Sequence, residues 1–443
     1  MKTKSILAIL ICVTLVFAMF AGCQSNKEEP KNGTQEQKPA EQAQNSPVKI
    51  TYYGGWTGPD LDKMKALVDK FNTEQNKIQV EFTSLQWTPM FAKFLTDFKG
   101  GNPPDILALH TFEIGQFAEM GVLDPKAVEA LKLNKDDYLE SAWNGSIYNG
   151  ELYAVPIDVN MHALYYNTEL FEKAGIAQPP KTGEELIATG QKLTVDKNGK
   201  HPNEAGFDAD NVTQYGLGFA MNHHIFYQFY GLMNQQGENP FTDSMTKLEL
   251  NEEKAAKAFG FLQDLIFKHK ITPKGEKSPI DDFKAGTVAM IVDGNWQMAG
   301  LETASVKWAT APYPQVFDKQ ANWGASEGLA FPLNEKADAS RKAAAAEFAK
   351  WLATNSADWA KSGQLPANKA ALETAKSMPG RDAFIAELNS TYFVPAHPKA
   401  TRIFSSAAPS PILTAAQDAV LNNKNPLEIV KKMKTEMDAL LAQ

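Results

Sequence analysis

Val48-Lys49-Ile50-Thr51-Tyr52-Tyr53 alternates β-forming residues and stops at Gly54-Gly55, which reads as a strand ending in a tight loop. The pattern then changes period. From Asp60 to Asn72, the residues Leu61, Met64, Leu67, Val68 and Phe71 fall at helical spacing. Ile78 to Leu85 reads as a second strand. Pro89 to Lys99 repeats the helical pattern through Met90, Phe91, Phe94, Leu95 and Phe98. Behind Pro103-Pro104-Asp105 comes a short continuous apolar strand, Ile106 to Leu109, with Asp105 expected to cap or turn the chain before it. Strands alternating with helices predict an α/β fold, a parallel sheet covered by helices.

Further along, Leu152 to Ile157 and Ala163 to Tyr166 are two extended runs in close succession, which suits a crossing between domains. A second α/β region follows. Thr182-Gly183-Glu184-Glu185 is a capping box that opens a helix to Leu193. Tyr215 to Met221 reads as a strand and Glu252 to His269 as a long amphipathic helix. Thr287 to Val292, Val306 to Ala311 and Gly328 to Phe331 read as strands, and Ala337 to Ala353 as an Ala-rich helix.

At the other end, Lys2 and Lys4 precede an uncharged run from Ile6 to Ala21, the pattern of an export signal. The run is shorter than the roughly 20 residues of a spanning helix. Phe20-Ala21-Gly22-Cys23 resembles the lipobox of bacterial lipoproteins, with Phe20 where Leu is usual. That resemblance implies cleavage after residue 22 and a diacylglyceryl group on Cys23, whose two chains suffice for a stable membrane anchor. Residues 23–47 are polar and Pro-containing and read as a disordered tether. Of the two cysteines, Cys12 lies inside the signal, so the mature domain has no thiol for a disulfide. The formal charge is −8, made more negative by loss of Lys2 and Lys4. An acidic chain without a basic block is not built for nucleic acid.

In order, the chain shows the lipobox; the tether; Ile50-Thr51-Tyr52-Tyr53-Gly54-Gly55-Trp56; Pro103-Pro104-Asp105-Ile106-Leu107; and Tyr153-Ala154-Val155-Pro156. Leu164-Tyr165-Tyr166-Asn167, Leu170-Phe171-Glu172-Lys173-Ala174-Gly175 and Pro179-Pro180-Lys181-Thr182 follow. Then come Phe283-Lys284-Ala285-Gly286-Thr287-Val288-Ala289-Met290, Asp293-Gly294-Asn295-Trp296 and Gly363-Gln364-Leu365-Pro366-Ala367. This order, from about Val48 to the C-terminus, resembles the sugar-binding family of extracellular solute-binding proteins, the group that includes maltose-binding protein. The resemblance implies a two-lobe periplasmic-binding-protein-like fold with a multi-strand hinge and a central ligand cleft. It also implies a monomer that captures a carbohydrate by lobe closure and delivers it to the permease of an ABC importer, from the outer face of the membrane. By that pattern one lobe is 48–159 plus 288–334, and the other 160–287 plus 335–443.

Ligands of open α/β sheets bind beyond the carboxyl ends of strands. A sugar site needs planar hydrogen-bonding groups beside aromatic plates. The ligand-binding candidates are therefore Trp56, Gln86, Trp87, His110, Thr111, Asp158, Asn222, Tyr227, Asn295, Trp296, Glu327 and Gln364. Each has a bland alternative: Trp56 folded onto the core, Trp87 capping a helix, Asp158 as a hinge hydrogen bond. Trp351 and Trp359 read as core, and Arg402 is left open between cleft and surface. Adjacent His223-His224 suggests a metal, but no i,i+4 partner accompanies the pair, so no metal or cofactor is expected. Asp158 and Glu327 are the one conceivable glycosidase pair; no other nucleophile motif is present, and a binding protein rather than an enzyme is expected. The alternatives kept are a polyamine, metal or glycerol phosphate ligand on the same architecture, or an exported glycan-active enzyme.

Overall fold

The computed structural model describes residues 46–242, 244–275, 278–404 and 410–443; the signal, Cys23 and most of the tether lie outside them. The strand Val48–Gly54 pairs in parallel with Ile78–Ser84 on one side and Ile106–His110 on the other. Helices Pro59–Glu74 and Trp87–Lys99 connect them. Glu327–Ala330 and Ala154–Pro156 complete this first sheet as antiparallel strands. The inward residues Ile50, Tyr52 and Val80 meet the helical stripe Met64, Leu67, Val68 and Phe71 in one core. The alternation in the sequence marks this burial.

The second sheet is built around the ten-residue strand Asp158–Asn167. Met290–Gly294 and Trp308–Ala311 pair antiparallel with it, and Asn322–Ala325 with its start. Helices His224–Gln235, Glu252–Phe267, Pro411–Val420 and Pro426–Leu441 pack into this second body's core. The predicted strand 215–221 shortens to Gly218–Phe219, with an isolated bridge at Tyr215.

The expected lobe boundaries need correction. Met290–Gly294, Trp308–Ala311 and Asn322–Ala325 belong to the second sheet, not the first. Conversely, helix Ala339–Thr354 packs on the first sheet. Its Phe348 is fully buried, 4.9 Å from the Phe71 ring and 5.7 Å from Tyr52. Arg341 on this helix makes two bonds to Asp105, Nε to Oδ1 at 2.6 Å and Nη2 to Oδ2 at 2.9 Å. Asp105 in turn accepts from Thr51 N at 2.7 Å. A planar guanidinium on a carboxylate fixes orientation as well as contact. An apolar strand does not say which sheet it will join, so register with Asp158–Asn167 decides it.

The chain thus passes between the two sheets at Ile157, at Ser326, and again between Trp359 in the first core and Leu365, which pairs with Val159. Neither lobe is continuous in sequence.

Candidate functional site

Between the sheets lies a cavity of about 760 Å³, a size typical of small-molecule sites. Its first-lobe wall carries Trp56, Gln86, Trp87, His110 and Glu327; the second-lobe wall carries Asn160, His224, Tyr227, Trp296, Trp323 and Gln364. The glycines before two of the tryptophans have a steric purpose. A Cβ on Gly55 would lie 1.9 Å from the Trp87 ring, and one on Gly294 would lie 2.1 Å from the Trp296 ring. Only a bare backbone lets these indoles fold over the strand ends.

On the first wall Trp56, His110 and Glu327 are already engaged. Trp56 Nε1 donates to Glu327 Oε2 at 3.0 Å. His110 Nδ1 lies 3.1 Å from Glu113 Oε2, and the His110 ring sits 4.2 Å from Trp87. Trp56 is edge-on to both Trp87 (5.5 Å) and Trp359 (5.3 Å). On the second wall Tyr227 stacks on Trp323 at 3.7 Å and 12°. Here Asn160 Oδ1, Gln364 Oε1 and Trp323 Nε1 are buried without a hydrogen-bond partner among the described residues. Outside the cavity centre, Thr401 Oγ1 donates to Gln116 Oε1 at 2.6 Å, a clasp between second-body and first-body segments.

The sequence profile of the bacterial extracellular solute-binding proteins matches residues 66–381. The chain belongs to that family. Among curated relatives, it is 25% identical over 260 residues to a maltotriose-binding protein of Pyrococcus abyssi, covering 58% of this chain and 52% of that one. It is 27% identical over 345 residues to the sn-glycerol-3-phosphate-binding periplasmic protein UgpB of Pectobacterium atrosepticum, covering 73% and 74%. The chain spans about a third of the length of the first curated relatives it matches. A solved structure, the maltose/maltodextrin-binding domain MalE from Bdellovibrio bacteriovorus bound to maltotriose, shares its fold. The TM-score is 0.75 at 22% identity, covering 89% of this chain and all of that one.

In this solute-binding protein four expected contacts lie off the cavity wall. Asp158 is fully buried in the hinge, accepting from Glu327 N at 2.8 Å and Trp359 Nε1 at 2.7 Å. Asn295 is turned to the strand Asp158–Asn167, donating to Val159 O at 3.0 Å. Asn222 is exposed and accepts from His224 N. Thr111 is buried beside the crossing, its N donating to Ser326 O at 2.9 Å. For Asp158, Asn222 and Asn295 the polar side chain is taken by the backbone before it reaches the cavity, whereas Thr111 is simply buried behind it. Arg402 is at the surface, bonded to Gln443.

Two residues the sequence reading passed over, Asn160 and Trp323, stand on the wall. Their signal is a period of two. Asp158, Asn160 and His162 alternate with apolar residues, and Trp323, Ala325 and Glu327 alternate onto the cavity.

Burial dominates the electrostatics. It raises Glu327 well above the usual carboxylate range, with the neighbouring Asp158 adding to the effect. Asp158 is raised by burial too, against the hydrogen bonds it accepts. Both shifts favour the neutral form of the carboxyl. Asp60, at the rim, is pushed up to about 6 by burial. Burial lowers His162 to about 3 and His223 to about 4, so both imidazoles are neutral. Among the described residues no Lys or Arg lines the cavity.

Proposed function

We propose that this solute-binding protein captures a neutral carbohydrate, a mono- or oligosaccharide, by closing its lobes, and hands it to the membrane permease of an ABC importer. One observation carries the reading. Among the described residues, buried polar atoms of Asn160, Gln364 and Trp323 lack partners at a cavity walled by aromatic rings and lined by no Lys or Arg. Orphaned buried polar groups are costly, and a guest rich in hydroxyls is the partner within reach. Rings give the sugar's C–H faces rigid apolar area. The relatives and fold neighbour that bind maltotriose support the same class.

A glycerol phosphate, the ligand named for the Pectobacterium relative, would leave its charge without a cationic side chain on this wall. A role as an enzyme is disfavoured by Asp158 and Glu327. Glycosidase carboxyls flank the bond they cut, whereas Asp158 lies fully buried behind the wall, bonded to Glu327 N and Trp359 Nε1. Export, with Cys23 lipidated and residues 23–47 as the tether, places the lobes outside the membrane. Among the described residues no helix is long and apolar enough to cross a membrane. The working unit is a monomer.

The test is a thermal-shift screen of the full chain against mono- and oligosaccharides, polyols, polyamines and glycerol phosphates. A ligand at a hundred times its dissociation constant adds about 2.7 kcal/mol to the folded state. A rise confined to one sugar class, with that sugar recovered intact, is the expected result. A rise only with glycerol phosphates or polyamines would overturn the carbohydrate reading.

A further inference from the structure

We propose that His162, His224 and Asp293 form a site for one divalent transition-metal ion of the zinc class, on the second-lobe side of the cavity. The three residues come from separate elements: the strand Asp158–Asn167, the helix His224–Gln235 and the strand Met290–Gly294. Antiparallel register sets Gly294 opposite His162, one residue from Asp293. One ligand atom from each lies within 4.8 Å of the other two. His224 Nδ1 is 4.0 Å from Asp293 Oδ1.

Zinc held at about 2.0–2.1 Å in tetrahedral geometry separates its donors by roughly 3.4 Å. Closing this triangle therefore takes shifts of at most about 0.8 Å per side chain, within the reach of a small χ adjustment.

The second observation is independent of that spacing. His162 Nε2 and His224 Nδ1 are both buried with no hydrogen-bond partner among the described residues. His162 is 1% exposed. Two orphaned imidazole nitrogens facing a carboxylate are a nitrogen-and-oxygen donor set suited to zinc. The carboxylate is already oriented. Gly294 N donates to Asp293 Oδ1 at 2.7 Å and Gln297 Nε2 to Oδ2 at 3.0 Å, the outer support that metal-binding carboxylates need.

Access is also provided. His224 borders the cavity and its side chain is 19% exposed. Three protein ligands leave a coordination position open to water or to the guest. The His223-His224 pair alone does not disclose this trio, whose spacing of 62 and 69 residues is set by the fold and not by one helix.

The test uses the full chain without a histidine tag, stripped with a chelator and then titrated with zinc chloride by calorimetry, with no sugar present. Bound metal is counted after dialysis, and cobalt(II) absorption reports the coordination geometry. One zinc per chain is expected, with a tetrahedral-type cobalt band. Asp293→Asn and His224→Ala should each weaken zinc at least about tenfold, while His269→Ala, distant from the trio, binds as the parent does. His162→Ala removes a buried ring; should it fail to fold, the Asp293→Asn result decides. Absence of stoichiometric zinc, or equal binding by Asp293→Asn, would overturn the site. Neither result bears on the sugar screen, so the two readings fail separately.

Discussion

The two walls of the cavity are built from similar residues but finished differently. On the first-lobe wall, Trp56 is bonded to Glu327, His110 to Glu113, and Trp56, Trp87 and Trp359 pack edge to face. On the second-lobe wall, Trp323 and Tyr227 also stack, yet Trp323 Nε1, Asn160 Oδ1 and Gln364 Oε1 have no partner among the described residues. The first wall is a finished platform whose rings hold one another in place. The second wall is incomplete until something arrives. Stability and recognition are thereby assigned to opposite sides of one cleft, and mutations on the two sides should fail in different ways.

The largest effect is expected from Trp56→Ala. Trp56 is 2% exposed and packs against four other aromatic rings, those of Tyr52, Phe82, Trp87 and Trp359. Its loss should destabilise the fold by about 3–5 kcal/mol in urea denaturation; an unchanged midpoint would break the idea of a platform. Next comes Glu387, which accepts from Tyr313 N and Asn322 Nδ2 behind Trp323. Burial raises its carboxyl from 4.5 to about 7. The folded protein therefore holds this proton more tightly than the unfolded chain does. Stability from this group is fully present below about pH 4.5, falls as the pH rises to about 7 and levels beyond, a change on the order of 3 kcal/mol. Glu387→Gln should flatten that slope in melts recorded across pH.

Smaller and sharper is Gln364→Met, which removes an orphaned oxygen at nearly constant volume. The unliganded protein should melt at the same temperature or higher, while affinity for the cognate sugar falls about tenfold. If stability fell instead, Gln364 would belong with the finished wall. The smallest change is expected from Thr401→Val. It deletes one bond of the Gln116 clasp and should weaken binding about threefold by calorimetry, through easier opening.

The first sheet was legible in the sequence because its strands bury one face and its helices carry a single apolar stripe, as at Ile50, Tyr52, Met64 and Phe71. The tight loop at Gly54-Gly55 was legible too, and it sets Trp56 against both the core and the cavity. What escaped was partnership. Asp158–Asn167 is almost wholly buried, so apolar content alone did not reveal which neighbours it collects. Helix Ala339–Thr354 looks alike whichever sheet receives it, and the Arg341–Asp105 pair and the packing of Phe348 on Phe71 declare its place. Asp158 and Asn295 were read as contacts because their residue types suit a sugar. Their backbone partners, Glu327 N and Val159 O, come from distant crossings that no local pattern announces.

The crossings also set a timetable. The first sheet cannot be completed until Glu327–Ala330 reaches Ile106–His110, and its core also waits for Phe348. A nascent chain of some 300 residues, most of the molecule, therefore holds no finished core. Pairings so far apart in sequence form slowly, and during that interval the chain is still pliant enough to be threaded through a narrow channel. A topology that defers its own collapse suits a protein whose work begins on the far side of a membrane.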